Sequence, residues 1–185
     1  MRALDRLLRV WRTRKAMPHI RQGDRLLDVG CFDRMMIDRV LPRIDSALGL
    51  DLECTPTIDG RVEIRRGVFP DDFELPEASF DCITMLATLE HVESPLAMAT
   101  ECERLLRPGG HMILTVPHPC VDHILEVLIF LRLADGMAAE DHYGFDVTQT
   151  RSIFEQAGLR LVVQRRFQLG LNYLFVFEKP QPAGD

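Results

Sequence analysis

Residues 26–34 read L-L-D-V-G-C-F-D-R. Leu26, Leu27 and Val29 around Asp28 make a short apolar run of strand character, and Gly30 after it permits a sharp turn. Asp33 is placed to N-cap a helix running to about Val40. Strand, glycine turn and helix start together form the opening unit of an α/β ligand-binding fold, in which backbone N–H groups of the turn approach the ligand. Nucleotide-binding loops carry further glycines where this chain has Phe32 and Arg34. Glycine serves at such positions because it adopts φ > 0 with no Cβ in the way. The alternation around this turn decides the fold; the fate of Phe32 and Arg34 decides the ligand.

Outward from the turn, short apolar runs keep alternating with helical patterns. Arg25–Val29 reads as a first strand, 47–50 as a second ending at Asp51, Val62–Arg66 as a third, Phe80–Leu86 as a fourth and 111–116 as a fifth. Residues 2–16 read as a helix with Leu4, Leu7, Leu8 and Trp11 on one stripe. Ser94-Pro95 supplies an N-cap and a proline at N1, and Pro108-Gly109-Gly110 stops the helix they begin. An apolar helix follows over about 120–133, then a polar loop with His142 and Tyr143, then a helix over 148–157 ended by Gly158. Residues 159–167 and 173–178 close the chain as a hairpin.

This order predicts one α/β domain over residues 1–185, with 1–20 as an N-terminal capping helix and 118–146 as a lid or substrate insertion. Its sheet is expected to be doubly wound, mostly parallel and seven-stranded, with an antiparallel strand inserted late. Only about ten residues, including Pro56, join the second and third strands, too few for a helical crossover. The third-strand edge is therefore expected to be thinly covered, which makes it a place for a homodimer contact.

Composition narrows the class. At 185 residues, 46% hydrophobic and 27% charged, the chain suits a single globular core. Five cysteines with no C-x-x-C pair point to reduced thiols and a cytoplasmic protein. The N-terminus reads as charged, without the apolar core of a leader, and the apolar run near 124–133 is interrupted by Glu126 and Arg132. Residues 1–25 hold eight Lys/Arg against two Asp/Glu, a net +6 that leaves −12 on the rest of the chain. So acidic a body argues against nucleic acid as a partner. His118, Cys120 and His123 match no zinc spacing, so no metal is expected.

Three pieces, in order, resemble the class I S-adenosylmethionine-dependent methyltransferases of the small-molecule "type 11" group. L-L-D-V-G-C resembles the first motif and G-L-D-L (residues 49–52) the acidic second-strand motif. F-D-C-I-T-M-L-A-T-L-E-H-V-E-S-P, with L-R-P-G-G-H-M-I-L-T-V-P after it, resembles the fourth- and fifth-strand block. The resemblance covers roughly 24–117 and implies a Rossmann-like methyltransferase fold and S-adenosyl-L-methionine as cofactor. It implies that Asp51 accepts hydrogen bonds from the ribose and that Gly30 lets the backbone approach the methionine moiety. Leu86 and Ala87 would line the cleft. Asp28, Cys31, Phe32, Leu52 and His91 complete the implied cofactor set, with Phe69 beside the adenine because Val68 stands where an acid is usual.

Methyl transfer to a hydroxyl or amine calls for positioning and a base. His118 is the first candidate base, just after the fifth strand, with His142 and Tyr143 next. The acceptor implied is a small molecule. Phe32, Arg34 and Val68 keep open an alternative, the same fold serving as a non-catalytic binding or scaffold protein. The basic first helix with Trp11 also suits an anionic membrane surface or a lipid-like acceptor, although packing on the sheet is the reading favoured. A nicotinamide-dinucleotide oxidoreductase is disfavoured, since it needs the missing glycines for its pyrophosphate.

Overall fold

A computed structural model describes residues 3–118 and 146–182. The first helix, α1, spans Ala3–Ala16, and β1 (Arg25–Val29) leads through the glycine turn into α2 (Met35–Val40). Then come β2 (Ser46–Asp51), β3 (Thr57–Asp59), β4 (Val62–Arg66) and β5 (Phe80–Leu86). They are followed by α3 (Pro95–Leu105), β6 (Leu106–Pro117), α4 (Thr150–Gln156), β7 (Arg160–Phe167) and β8 (Asn172–Glu178). The described strands form one eight-stranded sheet in the order β3-β4-β2-β1-β5-β6-β8-β7. Strands β4, β2, β1, β5 and β6 are parallel neighbours, whereas β8 runs antiparallel to both β6 and β7. The late antiparallel strand is as expected.

The sheet has one strand more than the seven expected. Thr57–Asp59 pairs antiparallel with β4, so the short link after β2 covers that edge with a strand where no helix fits. Ile58 on it is 81% exposed. Three other boundaries differ. Arg34, not Asp33, occupies the N-cap position of α2, but Asp33 Oδ1 still accepts a hydrogen bond from Met35 N–H at 3.2 Å. The fourth-strand helix ends at Leu105, before Pro108-Gly109-Gly110, and those residues lie inside β6. The helix expected over 148–157 divides into a 3-10 turn, Val147–Gln149, and α4.

Alternation along the strands feeds two cores, one on each face. Leu26, Cys82 and Ile113 pack with Met36, Ile37 and Val40 of α2 and with Ala16 at the end of α1. Leu27, Ile83 and Met112 pack on the other face with Met98, Cys102 and Leu105 of α3 and Phe154 of α4. A period of two sends neighbouring strand residues to opposite faces, so the central strands are apolar along most of their length. Thus both faces of the parallel sheet are covered, and the carboxyl ends of its strands are where such folds place a ligand.

Candidate active site

The C-terminal ends of β1, β2, β5 and β6 bring most of the implied residues together. Gly30 turns the chain out of β1 with φ +77°, and its N–H donates to the Leu50 carbonyl at 2.8 Å. A Cβ at Gly30 would lie 2.3 Å from Thr88 Oγ1 and 2.9 Å from Thr88 Cγ2. Glycine is needed here twice over, for the dihedral and for the close approach of the β5 turn. Thr88 itself carries no signal in the sequence, because only the sheet sets it against Gly30.

Asp51, at the end of β2, ties the turn together. Its Oδ2 accepts from Phe32 N–H at 2.9 Å and its Oδ1 from Glu53 N–H at 2.8 Å. Phe32 and Arg34 hold φ of +47° and +54°, in the left-handed region that glycine favours. Phe32 is 41% exposed, and the Arg9 guanidinium sits 4.8 Å from its ring centre. The same guanidinium holds Asp33 through two hydrogen bonds, 2.7 and 3.0 Å. These contacts fasten α1 to the glycine turn. At the same end of the sheet, Gln168 Nε2 donates to the Leu8 carbonyl at 2.9 Å, fastening α1 to the β7–β8 turn as well.

Asp28 is buried within β1 and accepts a hydrogen bond from Thr84 Oγ1 at 2.6 Å. Burial pushes its carboxyl up to about 7, against the pull of that hydrogen bond. Cys31 is also buried, its Sγ against the place where a Gly49 Cβ would sit, and burial raises its thiol pKa. Leu52 is exposed. On the β5 side, Leu86 is half-buried, and Ala87 takes φ +56° with its N–H bonded to the Thr115 carbonyl at 2.8 Å. His91 lies exposed in the 3-10 turn Leu89–His91, beside the buried Glu90.

After β4, Phe69 is packed into the core while Val68 is the exposed residue. An acid does reach this turn: Asp72 Oδ2 accepts from Val68 N–H at 2.7 Å, and Asp72 Cβ would meet a Gly67 Cβ at 3.0 Å. Its distance in sequence from the end of β4 hid it. His118 follows β6, donates its backbone N–H to the Leu171 carbonyl at 2.9 Å, and stacks its ring on Tyr173 at 6.0 Å. Arg166 lies over the Tyr173 ring, 4.9 Å from its centre. His142, Tyr143 and nearly all of the expected lid, 119–145, lie outside the described residues.

Among the described residues no helix is long and apolar enough to cross a membrane. Residues 2–164 match a family described as a methyltransferase domain. The ubiquinone biosynthesis O-methyltransferase of Dechloromonas aromatica is 31% identical over 102 residues, 50% of this chain and 44% of that protein. Its Pseudomonas aeruginosa namesake is 31% identical over 103 residues, with the same shares. The match thus spans less than half the length of these curated relatives. An S-adenosylmethionine-dependent methyltransferase from Mesorhizobium loti superposes with a TM-score of 0.67 at 17% identity, covering 85% of this chain and 91% of that one. The [4+2]-cyclase SpnF superposes at 0.69 with 15% identity, covering 97% of this chain and 82% of that one. The fold alone therefore hosts more than one chemistry. With its glycine turn, its second-strand acid and a family match over most of its length, the chain belongs to the methyltransferase-domain family, in the class I S-adenosylmethionine-dependent group.

Proposed function

We propose that the chain binds S-adenosylmethionine at the C-terminal ends of β1, β2 and β5, beside the Gly30 turn and Asp51, and that it methylates an oxygen of a small-molecule acceptor. One observation carries this reading. Phe32 and Arg34 keep the left-handed dihedrals of the glycines they replace, and Phe32 N–H remains bonded to Asp51. The turn thus keeps its tie to the acid at the end of β2 despite a strain of roughly 1–2 kcal/mol per residue.

The residues fit the cofactor. Each Asp51 oxygen holds one backbone N–H and keeps a lone pair for a ribose hydroxyl. Gly30 turns the main chain sharply out of β1 at the place where the methionine moiety would approach, with Thr88 packed against it. When bound, the sulfonium supplies a methyl group activated for in-line displacement. The protein's task is then to orient the acceptor and remove its proton. His118 is the proposed base, accepting the hydroxyl proton on a ring nitrogen while its stack on Tyr173 fixes the ring. Oxygen as the acceptor atom is suggested by the relatives named as O-methyltransferases. The aromatic wall of His118 and Tyr173 suits a planar ring. α1, held at both Phe32 and Gln168, is the proposed cap over the cleft.

Calorimetric titration with S-adenosylmethionine and its demethylated product tests the reading. Micromolar binding is expected for the native chain. Asp51→Ala is expected to weaken it about 10–100-fold, the loss of one or two hydrogen bonds to a charged group. A native chain that is folded, by its circular dichroism, and binds neither compound would overturn it in favour of a scaffold role.

A further inference from the structure

At the opposite end of the sheet from the glycine turn, Asp24, Cys82 and His111 converge. Register brings them there. Cys82 of β5 pairs directly with His111 of β6 and with Leu26 of β1, and Asp24 lies two residues before Leu26. A period of two places all three on the face that packs against Ala16 and Ile20. One ligand atom from each lies within 4.8 Å of the others, and the residues are only 3%, 0% and 2% exposed.

His111 is the anomaly. Neither ring nitrogen has a side-chain partner of good hydrogen-bond geometry, although the side chain is almost wholly buried; the His19 backbone is the polar group that bonds toward it. Its Nε2 faces Asp24 Oδ2 at 3.4 Å, an oxygen already bonded to Arg21 N–H at 2.7 Å. Burial of an imidazole with so little hydrogen bonding is costly. The neighbouring acid offers no relief, because Asp81 is paired with Arg25 and Arg107.

We infer that Asp24, Cys82 and His111 form a structural site for a divalent metal of the zinc type. The donor set is one that zinc takes: a thiolate, an imidazole nitrogen and a carboxylate oxygen. On binding, the Cys82 S–H bond breaks and its proton leaves to solvent while the Zn–S bond forms. His111 gives a lone pair as the neutral ring. The thiolate and the carboxylate cancel the charge of the ion, so the buried assembly is neutral, as burial requires. Tetrahedral zinc holds its ligand atoms roughly 3.3–3.8 Å apart; Nε2 and Oδ2 already stand at 3.4 Å, so only the longer separations, at most 4.8 Å, shorten by about 1 Å. Water or the second Asp24 oxygen completes the shell. The ion would tie the start of β1 to β5 and β6, away from the cleft, and its role would be stability rather than chemistry.

Cobalt(II) titrated into the chelator-treated full chain tests this. One equivalent is expected to bind, with the near-ultraviolet thiolate-to-cobalt absorption and the visible bands of a tetrahedral site, both displaced by zinc. Cys82→Ala, a small change in an apolar strand, is expected to abolish the thiolate absorption. Zinc is expected to raise the unfolding midpoint of the native chain by roughly 5 °C and that of Cys82→Ala not at all. No thiolate absorption in the native chain, or the same absorption retained in Cys82→Ala, would overturn the assignment. Neither readout depends on methyl transfer or on cofactor binding.

Discussion

Phe32 shows how a single residue can be strained and still be retained. At φ +47° its Cβ crowds the neighbouring carbonyl, a cost glycine would not carry. Offsetting contacts lie on both sides: the N–H bond to Asp51 and the Arg9 guanidinium over the ring. Because the strain depends on backbone shape, residues that tolerate the left-handed region should separate from those that do not. Phe32→Asn and Phe32→Val both lose the ring, but asparagine visits φ > 0 and a β-branched residue resists it. Phe32→Val is therefore expected to be less stable than Phe32→Asn by about 1–2 kcal/mol in urea unfolding. Equal stabilities would show that the contacts, not the dihedral, govern this position. Sequence could raise the question of Phe32 and could not answer it, because backbone dihedrals are set by what the loop is tied to. Asp72 makes the same point, since its carboxylate returns to the end of β4 through a turn that spacing alone does not announce.

Among the elements, α1 depends most on distant partners. Its arginine-rich sequence and leucine stripe announce a helix, but its anchoring comes from residues far along the chain. Gln168 is the second anchor: its Nε2 holds the Leu8 carbonyl, and its Oε1 accepts from Asn172 Nδ2 at 2.6 Å. Gln168→Ala removes both bonds and leaves the buried Asn172 amide without this partner. A loss of roughly 1–3 kcal/mol is expected. Hydrogen exchange followed by mass spectrometry should show faster exchange in the first half of α1, with β1 and β5 unchanged. Unchanged exchange in α1 would mean that Arg9 and apolar packing hold it alone. The edge strand β3 reflects a similar economy. The link after β2 is too short for a helix, so three residues pair with β4, and a strand that short presents little edge for further pairing.

For the molecule as a whole, the parallel sheet puts a carboxyl in its own interior, and stability should register this as pH changes. Asp28 titrates near 7 when folded and near its ordinary 3.8 when unfolded, chiefly because burial disfavours its charge. The folded state therefore binds the extra proton. The stability this contributes is complete below pH 4 and is lost as pH rises through 7. Asp28→Asn keeps an acceptor for Thr84 and cannot ionise. From pH 4.5 to 8 the native chain is expected to lose up to about 3 kcal/mol relative to this variant, measured by urea unfolding. Parallel pH profiles would show that Asp28 stays ionised in the folded chain.

The sequence by itself determined the strand–helix alternation, the late antiparallel strand, the glycine turn and the acid at the end of β2. Each of these is written in local periodicity, turn chemistry or a contiguous motif. Tertiary structure alone decided that Thr88 closes on Gly30, that α1 is fastened to both the glycine turn and the β7–β8 turn, and that Asp24, Cys82 and His111 meet under the sheet. Those pairings join residues tens of positions apart, and only sheet order and strand register bring them within reach of one another.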